Sequence, residues 1–278
     1  MPSWVKSRTM VLAAAASLLV VVAVVVIVLA FTGGPSGGGS GTPTGPGSSV
    51  VLTVEQALAA EEGQELNVRG AVLATGGQTI LASALAESYP PQAGGATLPL
   101  QGLDLAALVG LTSTAGQPGV AEATWSDYWL TLKGVVKGGV LEVQGIPRVE
   151  EDISFQSIRL RFSPVSEPIS SGDQVWWAFD VTNTGQAPVE LVFSDGRRAD
   201  AILSQGDVDA YTWSAGKSFT QAVETVPLEP GKSLAVVLND TLGVPAGDYD
   251  VTARVTAMVG PAGSEAPLPD ITSTLTVQ

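Results

Sequence analysis

V-W-W-A-F-D-V-T-N, residues 175–183, reads as one β-strand. Successive side chains of a strand point to opposite faces, so Trp177, Phe179 and Val181 share one side. Trp176 and Trp177 are adjacent, so one ring faces the core and the other faces outward, as an exposed contact or under a neighbouring loop or domain. Residues 157–162 repeat the pattern, with Ile158, Leu160 and Phe162 inward and Arg159 and Arg161 outward. Further short runs follow at 189–193, 200–203, 210–213, 219–226, 233–238, 249–257 and 271–277, with polar turns between them and no convincing helix. About seven to nine such strands predict an Ig-like β-sandwich over residues 152–278. Gly247-Asp248-Tyr249 enters a late strand as a tyrosine corner does, with the phenol hydroxyl bonding back to nearby backbone.

Residues 50–148 form a separate unit. Thr53 caps a short helical pattern at 54–60. Residues 65–73 alternate as a strand, with Leu66, Val68 and Gly70 on one side, and 79–81 follow the Gly76-Gly77 turn as a second strand. Ser88-Tyr89-Pro90-Pro91 breaks the chain. Residues 97–101 read as strand and 103–109 as a short helix opened by Asp104. Residues 129–136 and 140–144 form a hairpin about Lys137-Gly138-Gly139, where glycine supplies the positive φ. Several strands with a short helix between them predict a small, closed or partly open barrel of the OB type. Glu150 and Glu151 fall in the expected link between the two units.

Residues 10–31 are almost continuously apolar. As a helix the run is about 33 Å long, enough to cross a hydrocarbon core of roughly 30 Å. Lys6 and Arg8 precede it, which orients residues 1–9 to the cytoplasm and the bulk outside. A cleaved signal peptide is the alternative, with Val28-Leu29-Ala30 as its processing site, but its apolar region is usually shorter. Residues 32–49 are Gly, Ser, Pro and Thr, a flexible tether. The expected fold is thus mainly β, with an N-terminal transmembrane helix, a linker, an OB-like barrel and an Ig-like sandwich.

The net charge is −14 and the chain has neither Cys nor His. So acidic a surface repels phosphate backbones, which argues against a nucleic-acid partner. Tyr89, Trp125, Tyr128 and Trp129 are too few, beside Arg69, Lys133, Lys137 and Arg148, for a stacking platform. Without Cys, the units must be stable on packing alone. Without His there is no Ser-His chemistry and no imidazole metal site. Ser214-Ala215-Gly216-Lys217 spells S-x-x-K, but it lies between strands, contains Gly and lacks the companion motifs of the penicillin-recognising enzymes, so a hairpin turn is the better reading. Asp207, Asp209, Asp248 and Asp250 offer carboxylates for a hard cation, yet their spacing suits solvated turns better. No metal, cofactor or catalytic residue is assigned, and the chain is read as a non-enzyme.

Two resemblances add to this. V-R-G-A-V around Val68, the segment Ser88-Tyr89-Pro90-Pro91-Gln92-Ala93-Gly94-Gly95, residues 98–103 and the closing K-G-V-V-K-G-G-V-L-E-V resemble an OB-like domain of extracytoplasmic proteins of high-GC bacteria. The resemblance implies Cys where Ala82 and Ala93 stand, and so a disulfide that this chain lacks. In the second unit, Val181-Thr182-Asn183-Thr184, Phe193-Ser194-Asp195-Gly196-Arg197-Arg198-Ala199-Asp200, Tyr211-Thr212-Trp213-Ser214, Phe219-Thr220-Gln221, Leu228-Glu229-Pro230-Gly231 and Pro245-Ala246-Gly247-Asp248-Tyr249 resemble the intracellular proteinase inhibitor (BsuPI-like) family. The combined expectation is a single-pass protein of the bacterial cell membrane with extracytoplasmic domains, acting as a non-catalytic binding or scaffolding module. The alternative is a proteinase inhibitor working through loops of the sandwich on extracytoplasmic proteases. For either, the expected partner-binding residues are Ser214, Ala215, Gly216, Lys217 and Ser218 with Phe193, Arg197 and Arg198. The expected partners are the membrane, through the helix, and a protein ligand or protease.

Overall fold

Alternation with a two-residue period yields strands almost throughout, and the structure, a computed structural model, is mainly β. It describes residues 50–164, 169–260 and 264–278, leaving aside the side chains of 151–154. The expected tail, transmembrane run and linker at 1–49 lie outside the described residues. Among the described residues no helix is long and apolar enough to cross a membrane. The described residues form one compact unit.

The first lobe comprises β1 (Val51–Thr53), α1 (Val54–Leu58), β2 (Glu65–Thr75), β3 (Gln78–Leu85), β4 (Ala93–Gln101), β5 (Leu111–Ser113), β6 (Ala123–Ser126), β7 (Leu130–Lys137) and β8 (Val140–Gly145). The order β3-β4-β8-β7-β2 closes on itself because β2 also pairs with β3, giving a ring of five strands in which β4 and β8 run parallel. The long β2 also carries the β5-β6 hairpin, which the sequence pattern did not signal. A capping box starts α1, with Gln56 N–H donating to Thr53 Oγ1 at 3.3 Å and Thr53 N–H to Gln56 Oε1 at 2.9 Å. Val54 and Ala57 of α1 are buried with Leu66, Val68, Leu81, Leu98, Leu132 and Leu141. Gly138 and Gly139, at φ +57° and +74°, turn the hairpin between β7 and β8, as their position predicts. The helix expected at 103–109 is only a 3₁₀ turn, Leu105–Ala107, capped by Asp104. The carbonyls of Ala106 and Leu108 accept from Arg161 instead of continuing a helix. Register sets Ala82 opposite Thr97 and Ala93 opposite Leu85, so the two alanines are not cross-strand partners.

The second lobe comprises β9 (Glu150–Phe155), β10 (Ile158–Ser163), β11 (Gln174–Asn183), β12 (Val189–Phe193), β13 (Ala199–Gln205), β14 (Val208–Thr212), β15 (Glu224–Leu228), β16 (Ser233–Thr241), β17 (Gly247–Val255), β18 (Met258–Val259), β19 (Ala266–Pro267) and β20 (Ile271–Val277). They form three antiparallel sheets ordered β16-β11-β10-β9, β15-β12-β18-β19 and β14-β13-β17-β20. Glu150 opens β9 and so belongs to a strand, not to a link. Phe179 lies opposite Phe162 in the ladder, and Trp177, Phe162, Phe179 and Phe193 are fully buried. Phe162 stacks on Trp177 at 6.2 Å between ring centroids and meets Phe179 at 5.0 Å. Truncating any of these aromatics costs about 3–5 kcal/mol, which makes this core the rigid support for the loops around it. Tyr249 is buried and donates its hydroxyl to Pro245 O at 2.8 Å, the back-bond of a tyrosine corner. The strand expected at 219–226 is displaced: pairing begins only at Glu224, and residues 217–223 run without regular structure.

Candidate functional site

The turn at 194–198, between β12 and β13, and the segment 213–223, after β14, lie side by side. Gly196 N–H donates to Thr220 O at 2.8 Å and joins them. Asp195 Oδ1 accepts from Arg197 N–H at 2.8 Å, which tightens the turn locally. The two strands that flank this platform keep Asp200 and Ser214 in register. Asp200, 5% exposed, accepts from Ser214 N–H at 3.0 Å and from the Ser214 hydroxyl. Trp213 is fixed twice, by its N–H to Ala201 O and its indole N–H to Asn239 O, both at 2.9 Å.

From this anchor the chain turns at Gly216 and leaves the sheet. Lys217 Nζ lies 2.6 Å from Asp240 Oδ2 and 4.8 Å from the centre of the Trp213 ring. Phe219 packs back on Trp213 at 5.8 Å. Residues 215–218 and 220–225 are exposed, with Val223 at 70%, and only Phe219 between them is half-buried. The result is a segment without regular structure over residues 217–223, clamped by an ion pair, an aromatic contact and one backbone bond. Partial burial pushes the Asp240 carboxyl up, but hydrogen bonds from Lys217, Thr241 N–H and Tyr211 outweigh it and hold the carboxyl below its ordinary value. Burial and the neighbouring Asp240 charge push the Tyr211 phenol up, so it remains a neutral donor to that carboxylate.

The structure brings the two sequence-marked loops together but gives their residues different duties. Ala215, Gly216, Lys217 and Ser218 are exposed. Ser214 is half-buried and occupied by Asp200. Phe193 is corrected from a contact residue to a core residue, because its ring is fully buried. Its face supports the Arg198 guanidinium at 4.2 Å, which also reaches Glu224 at 2.5 Å. Arg197 is half-buried and turns toward Asp200 at 3.4 Å. Ser214 and Lys217 are each held by a different carboxylate, so the S-x-x-K spelling makes no nucleophile-base pair. Residues 220–223, where F-T-Q-A-V-E alternates well enough to pass for a strand, lie outside the sheets instead. Asp248 Oδ1 accepts from Thr276 at 2.7 Å, and among the described residues no three acidic side chains stand close enough to hold a metal ion.

A second polar centre joins the lobes. Asp180 and Arg161 pair at 2.7 Å, with side chains only 8% and 12% exposed. Arg161 also donates to Ala106 O at 2.6 Å and Leu108 O at 2.9 Å, while Gly110 N–H donates to Asp180 Oδ1 at 2.9 Å. Gly110 has φ +75°, and a Cβ there would come within 2.9 Å of Ala178 Cβ. Burial raises the Asp180 carboxyl above its ordinary value despite the bonds from Gly110 and Arg161. Arg161, expected to face water, is therefore covered by the first lobe. Trp176 is covered likewise, between Arg69 at 4.7 Å and Trp129 at 6.2 Å.

Residues 165–259, which include both loops, match the model of the BsuPI family, described as intracellular proteinase inhibitor. No curated protein matches the chain. Among solved structures, the putative ApaA protein from Bordetella pertussis aligns at 15% identity and a TM-score of 0.24, over 48% of this chain and 98% of that one. A putative beta-galactosidase from Bacteroides fragilis aligns at 12% identity and a TM-score of 0.26, over 78% of this chain and 30% of that one. Superpositions this loose carry no argument. The expected placement as a single-pass protein of the bacterial cell membrane, with membrane contact through the N-terminal helix, is corrected. No described helix is long and apolar enough to span a bilayer, and the matching family is described by an intracellular inhibitor.

Proposed function

We propose that the chain is a non-catalytic proteinase inhibitor that presents residues 218–224 to the enzyme's cleft. This replaces the more general scaffolding reading, because the family match covers the segment that the geometry displays. The observation that carries the proposal is that segment itself, exposed on either side of Phe219 and outside the sheets over residues 217–223, yet fastened at Lys217, Phe219 and Thr220 to the lobe's core. A segment already fastened at several points loses less conformational entropy on docking into a proteinase cleft. Seven extended residues reach about 24 Å, enough to fill a cleft and to centre an interface of roughly 800 Å² per partner. Ser214 to Lys217, Arg197 and Arg198 would then flank the contact.

The architecture supports the same reading at finer grain. The five-strand ring with one parallel contact supports an OB-type barrel for residues 50–148. The antiparallel sheets and the Tyr249 back-bond support an Ig-like sandwich for 152–278. Such scaffolds hold loops in place for binding. The test is titration of the full chain against purified subtilisin-like and trypsin-like proteinases. At least one enzyme should be slowed in near-stoichiometric fashion. Replacing the exposed residues 220–223 by Gly and Ser, which keeps Phe219 on Trp213 and Glu224 with Arg198, should abolish the effect with little change in Tm. An intact chain that slows no member of the panel, or a replaced chain that inhibits equally well, refutes the proposal.

A further inference from the structure

The four aromatic residues of the first lobe, scattered from position 89 to 129, converge on one cleft of about 350 Å³. Trp125 is its floor: the ring is 4% exposed and its indole N–H donates to Asp127 Oδ1 at 2.6 Å. Asp127 is itself held by Thr112 Oγ1 at 2.7 Å, so its charge stays in the cleft wall. Tyr89 stands edge-on to Trp125 at 5.9 Å, with its hydroxyl fixed by Gln117 at 3.0 Å, and remains 64% exposed. Trp129, 47% exposed, braces on Trp176 and forms another wall. Glu87 adds a second carboxylate, and no lining residue is basic.

Two exposed, pre-ordered rings beside two carboxylates form a site for a flat cation. A guanidinium stacks on aromatic faces and pairs with carboxylates at once, and it sheds water more readily than an ammonium. The cleft is too small for a folded partner and open enough for one side chain with its flanking backbone. We propose that it binds an arginine side chain presented by an extended segment of a partner protein. The cleft lies in the first lobe, so the proposal stands apart from inhibition through residues 218–224.

The probe is a blocked peptide, Gly-Ala-Arg-Ala-Gly, titrated into the full-length ¹⁵N-labelled chain while the indole N–H resonances are followed. Its control carries citrulline, which keeps the shape of arginine without the charge. The arginine peptide should shift the Trp125 and Trp129 indoles saturably, and citrulline should bind at least fivefold more weakly. Glu87→Gln, an exposed change that leaves the packing untouched, should weaken arginine binding severalfold, and Tyr89→Ser should weaken it further. Equal binding of the two peptides overturns the proposal, as does a saturable shift with a neutral oligosaccharide but none with the arginine peptide. An unperturbed spectrum at millimolar peptide overturns it as well.

Discussion

Replacing Arg161 by Met keeps the aliphatic stem and removes the guanidinium that links the lobes. The loss is large because three acceptors depend on that group. Ala106 O and Leu108 O lose their donor, and Asp180 keeps only the Gly110 N–H against an 8% exposed side chain. Breaking a buried pair from one side costs about 3–5 kcal/mol, and each orphaned polar group adds to the penalty. The small residual exposure lets water relieve part of it, so about 3–4 kcal/mol is expected. With a urea m-value of about 3 kcal/mol/M for a chain of this size, the unfolding midpoint at pH 8 should fall by roughly 1 M. At pH 5 the fall should be smaller, because the stranded carboxyl can take up a proton. The double variant Arg161→Met with Asp180→Leu should recover much of the loss, since it leaves no unpaired charge. A midpoint shift under about 0.3 M, or a double variant as unstable as the sum of the singles, would refute the account of this junction.

Asp180 also sets a pH dependence. Its folded pKa is raised by burial, so its contribution to stability is full below the unfolded value of about 3.9 and is lost as pH rises through the folded value. Asp180→Asn removes that term, so the wild-type advantage in urea midpoint should shrink between pH 3.5 and 7; an advantage that grows with pH contradicts the assignment. Tyr249→Phe deletes the bond to Pro245 O while keeping the ring, and should lower stability by about 1 kcal/mol. Unchanged thermal unfolding would show that the bond contributes nothing.

A pair that is expensive to break need not add stability. The raised Asp180 carboxyl means that the fold holds this charge less comfortably than water does. Its value lies in register: Arg161 and Gly110 meet Asp180 only when the 3₁₀ turn lies correctly on β10 and β11. The same rigidity supports the displayed segment, since β11 carries both Asp180 and the core face at Trp177 and Phe179.

The alternating apolar residues of β10, β11 and β17, the Thr53 cap, the Gly138-Gly139 turn and the Tyr249 corner were legible because each depends on neighbours a few residues away. The two candidate loops lie side by side in the fold, while Phe193 points into the core although its strand ends beside the turn. Residues 219–223 alternate like a strand, but they lie off the sheets, with Phe219 packed on Trp213 and Thr220 O bonded to Gly196 N–H. Arg161, Asp180 and Trp176 lie on the outward face of their sheet by every local rule. Asp180 is buried, and Arg161 and Trp176 partly so, because the first lobe covers that face, through contacts such as Gly110 to Asp180, seventy residues apart. A two-residue period records which side of its own sheet a residue occupies. What packs on that side, and therefore whether a charge there meets water or a partner, is settled only when distant segments come together.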